Sequence, residues 1–215
     1  ICGTRSVDSK TYFNKMLDIK LSLVERYAKD AAVLDLCCAT GDYLIDLAPV
    51  IRRGVGVDFS DIFIEKARTN IGQKNIGNLE FIEANVRETG LPDESFDLVY
   101  CLSSLYHIPE VSEVIEEIAR VMVPGGHCVL DFGNLHSLNT IVCNAFPELA
   151  ENCHIPLSQM HRIMAACNLR VVEHQAFQIF PYWGNRPLWL WPLLHPLIRA
   201  LMEKQIGGKM IDQIL

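Results

Sequence analysis

The stretch AAVLDLCCATGD, Ala31 to Asp42, constrains this chain more than any other. Ala32 to Leu36 read as a short buried strand carrying an acid, Asp35, near its end. Small residues follow, Cys37-Cys38-Ala39-Thr40-Gly41, and then an apolar helical pattern of Leu44, Ile45, Leu47 and Ala48. A strand, a small-residue turn and a helix N-terminus in that order let a ligand lie against the backbone. Seventeen residues past Gly41 a second apolar run, Gly54 to Val57, ends on Asp58. Two parallel strands that bring carboxylates and a tight turn to one sheet edge are how α/β folds hold nucleosides.

The rest of the chain repeats the rhythm. Phe13, Leu17, Leu21 and Val24 recur at helical spacing between Asp8 and Tyr27. Ser60 is an N-cap candidate for a helix from Asp61 to Asn70, and Gly72 to Asn78 is turn-rich. Leu79 to Glu83 reads as a third strand and Phe96 to Leu102 as a fourth, apolar nearly throughout, as parallel strands covered on both faces are. Pro109 opens a helix from Glu110 to Met122 that Pro124-Gly125-Gly126 stops. His127 to Phe132 is then the fifth strand. Such alternation predicts an α/β fold, a doubly wound, mostly parallel, Rossmann-like sheet with helices on both faces. Beyond Gly133 the alternation breaks. Asn134 to Pro156 is irregular, Leu157 to Cys167 helical, and Leu169 to Pro181 a long strand. Tyr182 to Pro196 holds all three tryptophans.

At 215 residues the chain suits one domain: an N-terminal helix over 1–30, a core over 31–133, and a substrate-side and cap region over 134–215. Nineteen Lys and Arg against 26 Asp and Glu give a net charge of −7. No basic cluster is present to neutralise phosphates, which argues against a nucleic-acid partner. The eight cysteines include no C-x-x-C pair, and Cys37, Cys101 and Cys128 sit in apolar strand candidates as small hydrophobes. Cys143, Cys153, His154, His161 and Cys167 lack zinc-site spacing, so no metal is expected. A reducing cytoplasm is the default compartment. Pro187 to Met202 is apolar but interrupted by prolines and shorter than the ~20 residues of a membrane span, so no integral membrane association is expected. The chain opens on Ile1, so its true start is expected to lie upstream.

Four segments in order, VLDLCCATGD, GVDFSDIFIEKAR, LPDESFDLVYCLSSLYHI and IARVMVPGGHCVLDF, closely resemble class I S-adenosylmethionine-dependent methyltransferases. Within that family they resemble the small-molecule branch that includes the quinone C-methyltransferases. The resemblance runs from Ala31 to Phe132. It implies S-adenosylmethionine as cofactor, with the turn from Asp35 to Gly41, including Cys37 and Ala39, passing under its methionine part. By the same resemblance Asp58 accepts both ribose hydroxyls, Phe59 lies on an adenine face, and Asn85 and Val86 read the adenine edge. Leu102 and Ser103 would touch the sulfonium region. The family's G-x-G-x-G reads Cys37-x-Ala39-x-Gly41 here, and Asn85 stands where an Asp is usual. If position 39 needs a positive φ, the strain is on the order of 1 kcal/mol. The family's sheet closes with an antiparallel seventh strand. Nothing from Ile206 to Leu215 reads as one, because Gly207-Gly208 breaks it up, so the chain is expected to stop short of its natural end with that strand missing.

Tyr106 and His107, just past the fourth strand, face the place expected for the methyl acceptor. His107 is the general-base candidate, although alignment alone drives many methyl transfers. Tyr12 and Phe13 could close over the cofactor or pack as core. Trp183, with Trp189 and Trp191, reads as an apolar lid over a lipid-like acceptor, as a subunit contact, or as a cap. The expected partner is a small, apolar methyl acceptor; the oligomeric state does not follow from the residues. Two alternatives stay open: a degenerate cofactor-binding protein without turnover, and a nicotinamide-dependent dehydrogenase, which should show G-x-G-x-x-G where Cys37 to Leu44 has one glycine.

Overall fold

Continuous apolar runs become the inner strands of a parallel sheet. The computed structural model describes residues 10–137, 140, 153–176, 205–206 and 209–210. The sheet strands are β1 (Ala32–Leu36), β2 (Arg53–Asp58), β3 (Leu79–Glu83), β4 (Phe96–Cys101) and β5 (Met122–Leu130). Their order is β3-β2-β1-β4-β5, and every pairing is parallel. β1 is central, and all five of its residues are buried.

Two apolar layers follow from the strand alternation. Val33 faces one cluster with Val24 and Ala28 of α1 (Lys10–Ala28), Leu44 of α2 (Asp42–Leu47) and Ile64 of α3 (Asp61–Lys74). Ala32, Leu34 and Leu36 face the other, with Ile115 and Ile118 of α4 (Val111–Val121) and Met160 of α5 (Leu157–Ala166). The expected doubly wound sheet with helices on both faces is therefore present. Among the described residues no helix is long and apolar enough to cross a membrane.

Several boundaries move for local reasons. α3 runs past Asn70 to Lys74 and stops where Asn75 turns left-handed at φ 54. Asn tolerates that conformation better than most residues. β5 starts at Met122 and not at His127: the pairing jumps from Phe96↔Met122 to Leu98↔His127. Pro124-Gly125-Gly126 is thus absorbed as an irregularity within the strand. The strand expected over Leu169–Pro181 does not form at 169–176. Val172 stays 65% exposed and, among the described residues, no neighbouring strand takes up the backbone hydrogen bonds; Leu169 N–H instead caps α5 through the Met164 carbonyl at 2.9 Å. Residues 177–181 lie outside the described residues. Near the C-terminus β6 (Gln205–Ile206) and β7 (Lys209–Met210) pair antiparallel with each other, and neither joins the main sheet as the family's seventh strand would.

On α4 a buried acid ties the helix to the loop after β3. Glu117 Oε1 accepts from Thr89 N–H at 2.8 Å and Thr89 hydroxyl at 2.5 Å, and Arg120 donates to both carboxylate oxygens at 2.7 Å. Burial alone would raise this carboxyl, but the Arg120 and Thr89 bonds outweigh it and hold the pKa down to about 2. A folded value below the unfolded one stabilises the protein above the unfolded pKa, and that stability drains away as pH falls toward the folded value. Between pH 5 and 2 the wild type is expected to lose on the order of 2–3 kcal/mol from this site. Glu117→Gln should start less stable and lose correspondingly less over the same window, measured by urea unfolding at stepped pH. Parallel acid profiles for the two proteins would refute it.

Candidate active site at the carboxyl edge of the sheet

The chain leaves β1 toward β2 on one side and returns to β4 on the other, so a crevice opens at the carboxyl ends of β1 and β4. In open α/β sheets ligands bind at such a switch point. Its floor is the turn after β1. Cys37, Ala39 and Gly41 all adopt positive φ, at 61°, 47° and 74°. Only glycine takes this geometry without penalty, so the turn has the backbone of a glycine-rich loop with two side chains added. Cys38 N–H donates to the Val57 carbonyl at 3.0 Å and Gly41 N–H to the Cys38 carbonyl at 2.8 Å. The Cys38 side chain packs into the core.

Asp58 locks this turn to the tip of β2. Its Oδ2 accepts from Ala39 N–H at 3.0 Å and its Oδ1 from Ser60 N–H at 3.0 Å. Each carboxylate oxygen keeps a further lone pair for a ligand hydroxyl, so the residue can receive a ribose diol while holding the loop. Phe59 beside it is 81% exposed, leaving its ring face open to a flat base. Asp35 is not an exposed strand-end acid but 3% exposed, and its Oδ2 and the Tyr100 hydroxyl are both sealed without a hydrogen-bond partner. Burial pushes the Asp35 carboxyl well above the usual carboxylate range, and the neighbouring Cys37 and Asp58 add to it. Hydrogen bonding from Cys101, with Ser104 contributing, draws the Cys37 thiol below its ordinary pKa.

After β3, Asn85 is exposed and its Oδ1 accepts from Arg87 N–H at 3.0 Å. That oxygen closes a local turn, which is what a short amide side chain does well, and it also accepts from Arg87 Nε at 3.4 Å. Val86 is buried at 8% exposure, as is Leu102. Ser103 takes φ 61.

Two residues the sequence reading passed over hold Ser103 in place. Its N–H donates to Asp131 Oδ1 at 2.6 Å, and Lys20 Nζ donates to its hydroxyl at 3.3 Å. Lys20 also pairs directly with Asp131 and is itself buried. A signal existed for both. Lys20 falls between Leu17 and Val24 on the apolar stripe of α1, and Asp131 ends its strand as Asp35 and Asp58 do.

On the far side of the crevice, residues 105–107 form a single 3-10 turn. The Tyr106 and His107 rings meet edge to face at 4.5 Å. His154, weighed in the sequence only as a metal ligand, lies edge-on to Tyr106 at 6.4 Å, and Thr140 Oγ1, which the sequence reading passed over, contacts its Nδ1 at 2.5 Å. Trp183 lies outside the described residues, as do Trp189 and Trp191. Among the described residues no group of three His, Cys, Asp or Glu could hold a metal ion.

The cradle fits S-adenosylmethionine on its own chemistry: a carboxylate with lone pairs to spare at the tip of β2, an open aromatic face beside it, and a bend that brings backbone to the surface. Comparisons with known proteins agree. Residues 33–126 match the family described as "Methyltransferase domain". A demethylmenaquinone methyltransferase of Listeria welshimeri is 36% identical over 104 residues, 47% of this chain and 44% of that protein. The Lactococcus lactis enzyme of the same name is 35% identical over 101 residues, 46% of this chain and 40% of that protein. The match therefore spans less than half the length of these relatives. Among solved structures, the YcgJ protein of Bacillus subtilis aligns with a TM-score of 0.64 at 19% identity, covering 89% of this chain and 86% of that one. The cyclase SpnF aligns at 0.60 and 18% identity, covering 74% and 59%; at such identities the likeness is one of fold. Motif order, crevice and relatives point the same way: residues 33–126 match a methyltransferase-domain family and resemble the corresponding part of the quinone methyltransferases.

Proposed function

We propose that this protein transfers a methyl group from S-adenosylmethionine to a small, apolar acceptor. The observation that supports this most is the double anchoring of Asp58, which fixes a carboxylate and the bend of β1 as one rigid cradle. Once bound, the cofactor supplies a methyl on a positively charged sulfur, already a strong electrophile. Asp58 then holds the ribose, Phe59 covers the adenine, and Asn85 and Val86 border its edge. Cys37, Ala39 and Gly41 pass under the methionine part, with Asp35 buried below. Leu102 and Ser103 flank the sulfonium, while Tyr106 and His107 border the acceptor. In this reading the chain is one domain and works in the cytoplasm, with no nucleic-acid partner and no integral membrane association.

Titration calorimetry with S-adenosylhomocysteine tests the reading directly. The wild type should bind, and Asp58→Asn should bind about 10–100-fold more weakly, since hydrogen bonds to a charged group contribute about 1.5–3 kcal/mol. Absence of heat with the wild type up to millimolar ligand would end the proposal. A second reading, cofactor binding without methyl transfer, draws on the non-glycine residues held at positive φ in the cradle and on the fold likeness to a protein named as a cyclase. Tight binding with no product from a broad acceptor panel would favour it.

A further inference from the structure

We infer that Cys37 is an oxidation site, taken by hydroperoxides and closed into a disulfide with Cys101, and that this bond shuts the cofactor cradle. The bond itself stands on the placement of two thiols. Its effect on the cofactor rests on the methyl-transfer reading above.

The two sulfurs meet from neighbouring strands. The β1–β4 register pairs Asp35 with Tyr100, so Leu36 and Cys101 come next and Cys37 lies one residue past them. Parallel strands about 4.8 Å apart, rising about 3.3 Å per residue, put the Cα atoms of Cys37 and Cys101 roughly 6 Å apart. A disulfide bridges Cα atoms about 4.4–6.8 Å apart. Alternation along β1 would turn Cys37 toward the layer that holds Val33, away from Cys101. The left-handed φ of 61° at Cys37 reverses this, and its side chain packs on the layer of Leu36 and Cys101. There the Cys101 thiol hydrogen-bonds to the Cys37 sulfur, and Ser104 adds a second contact. Cys38 enters the opposite layer, close against Gly56, and so has no part in the pair.

The surroundings give the two thiols unequal roles. Cys37 is partly exposed, whereas Cys101 is sealed. The Cys101 bond, helped by Ser104, lowers the Cys37 thiol, while burial raises those of Cys38, Cys128 and Cys167. A thiolate is the form that attacks peroxide, and a neighbouring thiol then resolves the product. In the first step the Cys37 sulfur attacks one oxygen of hydrogen peroxide and the O–O bond breaks. The second oxygen leaves as hydroxide, and Cys37 becomes a sulfenic acid. In the second step Cys101 gives up its proton, its sulfur bonds to the Cys37 sulfur, and the sulfenic hydroxyl leaves with that proton as water. The hydroxide from the first step takes the proton that Cys37 had shed. Two thiols thus lose two electrons, and one peroxide becomes two waters. Cys101 is held in the ladder opposite Leu130, so drawing the sulfurs together moves the bend and not β4. That bend carries Ala39 N–H, the partner of Asp58 Oδ2, so its shift disturbs the carboxylate of the cradle as well.

Two measurements decide the matter. The full chain, reduced, is treated with hydrogen peroxide and digested with trypsin. Fragments 30–52 and 88–120, which carry Cys37 and Cys101, should appear joined and lighter by two hydrogens. Fragmentation should place the bond at Cys37 and not at Cys38. Cys101→Ser should stop at the first step, leaving a sulfenic acid on Cys37 that dimedone traps. Cys37→Gly, which suits the left-handed backbone, should give neither product, and carries this measurement if Cys101→Ser fails to fold. Calorimetry with S-adenosylhomocysteine reads the consequence. Oxidised wild type should bind at least about 10-fold more weakly than reduced, the loss that one hydrogen bond to a charged group entails. Dithiothreitol should restore the affinity, and prior saturation with S-adenosylhomocysteine should slow the oxidation. A bond between Cys37 and Cys38, or a Cys37 left unmodified while other cysteines oxidise, overturns the site. A Cys37–Cys101 bond that leaves the affinity unchanged overturns its effect on the cradle. A reduced wild type that binds no S-adenosylhomocysteine refutes instead the methyl-transfer reading, and the fragment map still decides the site.

Discussion

Gly41→Val is expected to melt about 4–20 °C below the wild type and to lose measurable S-adenosylhomocysteine binding. Gly41 sits at φ 74, and a Cβ there would fall 2.3 Å from the tip of the Phe81 ring. Two separate penalties therefore add. A branched side chain in the left-handed region costs on the order of 1–2 kcal/mol, and overpacking a closed core another 1–3 kcal/mol. At this chain length each kcal/mol moves the midpoint by about 2–4 °C. Ala39→Gly is the matched control. Position 39 stands at φ 47, so glycine releases strain there, partly offset by the greater freedom of the unfolded chain. A melting point at or slightly above wild type is expected for it. Thermal melts followed by circular dichroism decide both. A Gly41→Val protein that melts with the wild type would mean that Phe81 can move aside, and that the bend is not held by packing.

Lys20→Met should be nearly as damaging, although Lys20 is far from the bend in sequence. Lys20 and Asp131 are paired with side chains 8% and 20% exposed. Removing the cation leaves a carboxylate in poor contact with water, a change that typically costs about 3–5 kcal/mol. It also removes the Lys20 bond to the Ser103 hydroxyl at 3.3 Å and leaves Asp131 Oδ2 unpaired, so the carboxylate whose Oδ1 holds Ser103 N–H at 2.6 Å loses its brace beside the expected methyl position. The double variant Lys20→Met/Asp131→Asn carries no orphaned charge and should recover part of the loss. A double-mutant cycle by urea unfolding isolates the coupling. Strict additivity of the two single changes would show that the pair contributes no interaction of its own.

Legibility in the sequence followed the range of the forces involved. Asp58, the bend at 37–41 and the core of β1 could be read because each lies in a short segment whose burial, turn geometry and charge act locally. Asn85 was placed after β3 by order along the chain, but its turn with Arg87 was not legible, since an amide's choice of partner depends on loop shape. Lys20, Asp131 and Thr140 were passed over, and His154 was weighed only as a metal ligand, for a common reason. Singly, each is an ordinary polar residue on a helix or beside a strand end.

The residues by themselves determined the parallel sheet, its two covered faces and the bend, because apolar runs and small-residue turns leave few other ways to bury a chain of this composition. Only the tertiary structure decided which polar groups meet at the crevice. Lys20 and Asp131 are separated by 111 positions, and it is the order β3-β2-β1-β4-β5 that brings α1 over the exits of β4 and β5. A hydrogen bond between such distant groups forms only after packing has put them side by side, so no local pattern can announce it.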